Sequence, residues 1–329
     1  MNITREKIET FLTQFQSKKA LIIGDVMIDA YKIGKANRIS PEAPVPVINI
    51  EKEYERLGGA ANVALNIKSL GAEPILCSVV GNSKNAEIFV NLMRENNLST
   101  EAIINDPDRI TTVKTRVMAS GQQLLRIDEE IDSQLSKETQ EKLVQKIKEI
   151  CNNQKIDVLI LEDYDKGVIN KEIIEETLKI AKTLNIPTTV DPKVRNFANY
   201  QGATMFKPNF QEFSIGLKNY SEKVNLNNLE SISKKFLEEN NIENLLLTLS
   251  ENGIFISNKT EHYHFPAEKR DIIDVSGAGD TVITVASLLL SLNASLAEIA
   301  YISNIAGGLV CEKVGVVPIT KNELILNFK

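Results

Sequence analysis

The chain has 329 residues, 43% hydrophobic and 25% charged, which is ordinary for a folded globular protein and excludes the low-hydropathy, high-charge class of disordered chains. Its 38 basic and 44 acidic side chains leave a net charge of −6, so electrostatics gives no general case for nucleic acid or an anionic membrane as a partner. Cys77, Cys151 and Cys311 stand far apart beside apolar residues, which suits reduced, buried thiols rather than a disulfide framework or a metal cluster.

The stretch Met1 to Gln14 mixes Arg5, Lys7 and Glu9 with apolar residues at helical spacing and lacks the apolar core of a signal peptide, so a cytoplasmic protein is expected. Ala20 to Ile23 is a short apolar run ending in Gly24-Asp25, as expected of a strand buried on both faces, and Ala60 to Leu70 follows as a helix. Pro74 to Val80 reads as strand, Asn85 to Glu95 as helix, Val158 to Leu161 as strand, Lys171 to Leu184 as helix and Thr188 to Val190 as strand. A helix at Leu229 to Glu239 and a strand at Leu245 to Leu249 continue the alternation, which is that of a parallel sheet flanked by helices. Val282 to Leu292 is too short for the roughly 20 residues of a membrane span and reads as a buried helix. Two regions, about 31–53 and 111–129, break the rhythm with period-two segments such as Val113-Lys114-Thr115-Arg116-Val117, and predict a small accessory sheet, a lid inserted in one α/β domain spanning 1–329. Edge strands of the main sheet are the alternative.

Asp274-Val275-Ser276-Gly277-Ala278-Gly279-Asp280-Thr281, followed at once by the apolar run from Val282, reads as an anion cradle. Small residues let the backbone approach a ligand, and their N–H groups open a helix whose positive dipole end favours negative charge. A carboxylate at the mouth of such a site repels the ligand unless it acts there, for example by taking a proton from an attacking hydroxyl, and Asp280 has that position. The plainer reading is a Gly-rich turn with Asp280 as a helix cap. Leu57-Gly58-Gly59-Ala60-Ala61-Asn62 is a second glycine site leading into a helix, where Asn62 offers donor and acceptor to a sugar hydroxyl, or merely completes a tight turn. Asp25 and Asp29 follow the first strand, at the edge where open α/β sheets bind ligands. Carboxylates suit polyol hydroxyls, and a solvated surface role fits Asp25 better than Asp29.

The element Gly58 to Asn62 near the N-terminus and Asp274 to Asp280 near the C-terminus together resemble the two signature motifs of the ribokinase-like, PfkB-type carbohydrate kinases, in order and spacing across essentially the whole chain. The resemblance implies a ribokinase-like three-layer α/β fold with a mainly parallel central sheet flanked by helices and a small β lid. It implies ATP-dependent phosphorylation of a sugar hydroxyl, with Asp280 as catalytic base, the backbone of Gly277, Ala278 and Gly279 holding transition-state charge, and Asp29, Gly58, Gly59 and Asn62 on the sugar. Asn209-Phe210-Gln211-Glu212 is similar to the family's NxxE element, which arranges Mg²⁺, its waters and the ATP phosphates, so Glu212 is expected to hold Mg²⁺ through water. A helix cap at Asn209 is the simpler alternative. Thr248, Ser250 and Gly253 lie where the family lines the nucleotide, with Ser250 replacing the usual glycine, and Asn304 to Val310, including Gly307, resembles the helix beside the adenine. Asp274 and Ser276 match positions that coordinate a monovalent cation, K⁺, in several relatives.

Three further segments, Arg38 to Val47, Gln122 to Asp128 and Asp163 to Gly167, resemble one branch of the family. That branch phosphorylates C1 of D-glycero-β-D-manno-heptose 7-phosphate to the 1,7-bisphosphate, towards ADP-heptose and the lipopolysaccharide inner core. Many of its members carry a cytidylyltransferase-like domain next, for which 329 residues leave no room, so only the kinase step is expected. A C7 phosphate calls for cations away from the reacting end, and Arg116 and Lys193 are the candidates among basic residues that otherwise read as solvated. The alternatives are a kinase of the same family for fructose 6-phosphate, tagatose 6-phosphate or ribose, and a non-catalytic sugar-binding protein on the same scaffold. One lid face, Val113, Thr115, Val117 and Ala119, is nearly free of charge, and Val45, Val47, Ile48 and Ile50 add apolar area. A homodimer through the lid is therefore expected, with a sugar phosphate and ATP as the other partners.

Overall fold

The computed structural model describes residues 3–328 except 219, 221 and 222, so Met1, Asn2 and Lys329, the ends of the expected domain, lie outside the described residues. In chain order the strands are β1 Lys19–Gly24, β2 Val26–Ile39, β3 Pro46–Gly59, β4 Glu73–Val80, β5 Ile103–Asn105, β6 Thr112–Ala119 and β7 Gln122–Glu129. They continue with β8 Val158–Glu162, β9 Thr188–Asp191, β10 Met205–Phe206, β11 Asn244–Thr248, β12 Ile254–Ser257 and β13 His262–Phe265. The helices are α1 Arg5–Phe15, α2 Ala60–Ser69, α3 Lys84–Glu95, α4 Lys137–Asn153, α5 Lys171–Leu184, α6 Phe210–Gly216, α7 Leu229–Glu239, α8 Ala278–Ser291, α9 Leu296–Cys311 and α10 Lys321–Leu326.

The main sheet runs β13-β12-β11-β10-β9-β8-β1-β4-β5, parallel from β11 to β5 and antiparallel only at β12 and β13. Its central strands are apolar throughout because helices cover both faces. Alternate side chains of β1 divide between two cores: Ile22 packs with the layer holding α2, α8 and α9, and Leu21 and Ile23 with the layer holding α4, α5 and α7. The chain leaves β1 first towards β4 and later returns to β8 on the other side, so the order reverses at β1 and β8, where open sheets form their ligand crevice.

A second, four-stranded sheet, β3-β2-β6-β7, is the lid. A single residue, Asp25, separates β1 from β2, so the lid grows straight out of the main sheet; the first six residues of β2 are buried and most of the rest exposed. The lid strands are longer than the period-two segments suggest, since β2 begins at Val26 and β3 runs to Gly59. Ile28, Leu57 and Val113 continue the main core into the base of the lid. Among the described residues no helix is long and apolar enough to cross a membrane.

Candidate active site

The site lies where the C-terminal ends of β1, β8 and β9 meet the N-termini of α2 and α8. Gly277 precedes α8 with φ 81°, a left-handed conformation that favours glycine, and a Cβ there would come within 3.0 Å of Asn62 Nδ2. The turn before it is organised by Asp274, whose Oδ1 accepts from the N–H of Ser276 at 2.9 Å and whose Oδ2 accepts from that of Gly315 at 2.8 Å. Burial pushes the Asp274 carboxyl up, but these bonds and the charge of Arg116 outweigh it and hold it below the usual range. Arg56 of the lid donates to the carbonyls of Val314 and Val316 on the same loop, at 3.3 and 3.0 Å.

Asp280, in the first turn of α8, is 4% exposed. Asn62 Nδ2 donates to its Oδ2 at 2.7 Å and the Tyr164 hydroxyl to its Oδ1 at 2.6 Å. Burial raises the pKa of Asp280, these two bonds and Lys207 oppose the rise, and Asp191 adds to it. Asn62 is itself held: Asn66 on the next turn of α2 donates to the Asn62 carbonyl at 2.9 Å, and the Thr281 hydroxyl donates to Asn66 Oδ1 at 3.2 Å. The two glycine motifs, distant in sequence, are thus joined through Asn62 and Asp280.

The residues expected on the sugar gather beside this pair. Gly58 lies so close to Asp29 that a Cβ would fall 2.2 Å from Asp29 Oδ2, and Asp29, 3% exposed, forms an ion pair with Arg116 on β6. Arg116 also lies over the Tyr31 ring at 5.4 Å. Gly59 caps α2. Asp25 corrects the expectation of a solvated side chain: it is 1% exposed and accepts backbone N–H groups from Tyr164 at 2.9 Å, Lys166 at 3.1 Å and Val168 at 2.9 Å. Burial first, then the charge of Asp163, pushes its pKa up to about 6 against the pull of those bonds.

Among the residues expected at the nucleotide, Asn209 and Glu212 form a capping box at the start of α6, Asn209 Oδ1 accepting from the Glu212 N–H at 2.8 Å and Glu212 Oε2 from the Asn209 N–H at 2.9 Å. Asn209 also bridges Thr248 at the end of β11. Glu212 Oε1 accepts from Lys193, which therefore stands beside the start of α6, while Arg116 pairs with Asp29. Burial works to lower the Lys193 pKa, and the carboxylates of Asp191 and Glu212 override it and raise it. Ser250 sits at φ 52°, in the left-handed conformation that the usual glycine would take without strain, in a turn closed by the Leu249 N–H on the Gly253 carbonyl at 2.7 Å. Asn304 donates to the Pro266 carbonyl at 2.9 Å, and Gly307 faces Val282 of α8, so Gly307 belongs to the contact between two helices.

Three groups that the motifs do not mark lie beneath the cradle. Gly24, Glu162 and Asp191 are cross-strand neighbours at the ends of β1, β8 and β9. Thr189, two residues before Asp191, bonds Ser287 of α8 at 2.6 Å, so this face of the sheet looks towards α8 and Asp280. Lys207, 3% exposed, pairs with Asp191 at 2.7 Å, and a Cβ on Gly279 would lie 3.7 Å from its Nζ. Glu162 is fully buried and neither of its carboxyl oxygens has a hydrogen-bond partner. Burial first, then the charges of Asp191 and Asp280, raises its pKa well above the ordinary range. A strand reading that stops at Leu161 misses Glu162, and Lys207 carries no local signal beyond its place before Pro208-Asn209.

A glycine turn at a helix N-terminus, a buried carboxylate in its first turn and a cluster of polar side chains at the sheet edge beneath a lid have the arrangement expected of a sugar phosphotransferase. Residues 17–322 match the pfkB family carbohydrate kinase description, and the chain belongs to that family. It is a carbohydrate kinase. It is 37% identical over 325 residues to the bifunctional protein HldE of Pelobacter propionicus, covering 98% of this chain and 65% of that one. With HldE of Helicobacter pylori it shares 38% over 299 residues, 91% of this chain and 64% of the relative. The chain therefore spans about 65% of the length of these curated relatives. Among solved structures, phosphofructokinase-2 from Escherichia coli in complex with potassium superposes with a TM-score of 0.80 at 19% identity, covering 94% of this chain and 98% of that one. A ribokinase from Thermotoga maritima gives 0.68 at 19% identity, covering 94% and 99%. These neighbours show the ribokinase-like fold.

Proposed function

We propose that the chain phosphorylates C1 of D-glycero-β-D-manno-heptose 7-phosphate with ATP, and that Asp280 is the base. The observation that carries the base is the placement of Asp280 at the opening of α8, with each carboxylate oxygen oriented by one donor and one lone pair left on each. Asp280 takes the proton of the C1 hydroxyl as its oxygen bonds the γ-phosphorus, the bond to the β-phosphate oxygen breaks, and ADP leaves. The N–H groups at the start of α8 face the charge that spreads over the transferring group, which is where such catalysis acts. The heptose is supported by the match to HldE proteins over nearly the whole chain and by the three lid and loop segments of that branch. The experiment is ADP release with heptose 7-phosphate, fructose 6-phosphate, tagatose 6-phosphate and ribose side by side. Highest kcat/KM on the heptose is the expected result. A preference for another sugar overturns the substrate, and no ADP with any of them favours a non-catalytic binding protein.

Mg²⁺ fits the residues present in an indirect way. Among the described residues no three acidic, His or Cys side chains converge on a metal position, which suits an ion that keeps most of its waters and is held through one carboxylate and the substrate phosphates. Glu212, its oxygens half used by the capping box and Lys193, would hold it, and the ion would neutralise phosphate charge. Glu212→Gln preserves the capping box and is expected to raise the Mg²⁺ concentration for half activity. An unchanged Mg²⁺ titration would make Glu212 a cap only. K⁺ would be held at Asp274, each of whose oxygens accepts one backbone N–H and keeps a lone pair, close to the carbonyls of Val314 and Val316 that Arg56 already engages; no K⁺-dependent step is assigned.

The lid supports a dimer. On the face that carries Val117, its cross-strand neighbour Leu125 is 55% exposed and Ile127 48% exposed, whereas Val113 at the base is already buried against the core. A second copy would cover this face. Val117→Asp is expected to weaken dimerisation and sugar affinity while leaving ATP binding less affected, as read by light scattering and separate KM values. An active wild-type monomer at assay concentration would overturn the dimer.

A further inference from the structure

Resting on the reading of Asp280 as the base, we propose that Tyr164, which lies outside both glycine motifs, is its positioning residue. Its hydroxyl fixes the rotation of the Asp280 carboxylate and favours the charged form that takes the proton. An ionised carboxylate only accepts, so the phenol is the donor in the 2.6 Å bond to Oδ1. The torsion that turns a carboxyl group is broad and roughly two-fold, and here it is pinned from both sides, by Tyr164 on one oxygen and Asn62 on the other.

Tyr164 can impose this geometry because its own backbone is fixed. Asp25 accepts its N–H and those of Lys166 and Val168, gathering the turn after β8 around one buried carboxylate. Asp163 anchors the same turn from below, accepting from the Asp165 N–H at 2.8 Å, Asn196 Nδ2 at 3.0 Å and the Tyr200 hydroxyl at 2.7 Å. The ring is held as well, with Lys193 Nζ 5.3 Å from its centroid. A chain of contacts thus runs from Glu212 through Lys193 and Tyr164 to Asp280.

The charged groups around Asp280 are Glu162 on β8, Asp191 on β9, Lys207 after β10 and, beyond the Tyr164 ring, Lys193. Burial and Asp191 disfavour the carboxylate; Asn62, Tyr164 and Lys207 favour it. Removing the Tyr164 hydroxyl deletes one of the three favourable partners, so the pKa of Asp280 rises. The hydroxyl itself stays a donor through the working range, since burial and then the charge of Asp280 push its pKa well above that of free tyrosine.

The test is Tyr164→Phe, which keeps the ring under Lys193, assayed beside Asp280→Asn. The acid limb of kcat/KM against pH is expected to move up by about one unit, the scale of one charge-assisted hydrogen bond. Below the limb, kcat then falls about tenfold, approaching the wild-type value at high pH, while the KM values for sugar and ATP stay within about twofold. A pH profile superimposed on the wild type, with Asp280→Asn still strongly impaired, overturns the role of Tyr164 and leaves that of Asp280 standing. An equal loss at every pH with a lowered melting temperature overturns it too, making Tyr164 structural. Near-normal turnover by Asp280→Asn removes the base, and Tyr164 as its positioning residue with it.

Discussion

Asp280→Asn lowers kcat by about 10²-fold or more, the scale of general-base contributions, while the fold and ATP binding persist. That corresponds to about 2.7 kcal/mol of barrier at 1.36 kcal/mol per decade. Asparagine has the same shape and can keep both contacts, its amide oxygen accepting from Asn62 and its NH₂ donating to the Tyr164 oxygen, whose hydroxyl hydrogen is free to turn away. It loses only the capacity to take a proton. A buried charge is removed at the same time, so the variant should melt no lower than the parent. Near-normal kcat would take Asp280 out of the reaction.

Lys207→Met is the second large effect, and it concerns stability. Lys207 and Asp191 are both buried, and Glu162 and Asp280 crowd the same face of the sheet. Deleting the cation leaves the buried Asp191 carboxylate without its ion-pair partner, and breaking one side of a buried pair costs about 3–5 kcal/mol. Denaturant unfolding reads this directly. The double variant Lys207→Met with Asp191→Leu should regain much of the loss, because an apolar pair of similar volume replaces an ion pair at little net cost. A loss below about 1 kcal/mol in the single variant would mean that the pair is solvated and behaves like a surface bridge.

The glycine turn that opens α8 and the Gly58 to Asn62 turn were legible in the sequence because their chemistry is local: glycines, a helix start and one polar side chain within a few residues. The α/β alternation was legible where apolar strands are followed by helices, as at β4 with α3 and β8 with α5. Helix α4 carries its buried Leu143, Ile147, Ile150 and Cys151 in a charge-rich stretch, and β10, β12 and β13 span only two to four residues, too few to show a period. Glu162, Lys207 and Tyr164 acquire meaning only when the sheet brings residues 162, 191 and 207 together beside α8. Asp25 misled for a related reason: nothing in Gly24-Asp25-Val26 shows that a turn more than a hundred residues later will wrap three N–H groups around it.

The position of β1 between β4 and β8 also bears on how the molecule is made. Once β4, which ends at Val80, has left the ribosome, one edge of β1 can pair, but the other stays bare until Val158–Glu162 arrives. For that whole interval of synthesis the nascent chain displays an apolar strand with free N–H and C=O groups, the kind of surface that captures other chains. Helix α8 emerges later still, so a truncated product that stops between β7 and α8 has the Gly58 to Asn62 turn and the lid but neither Asp280 nor the glycine turn before it. With Asp280 as the proposed base, a half-made chain of this protein is inert as a phosphotransferase and sticky as a polymer.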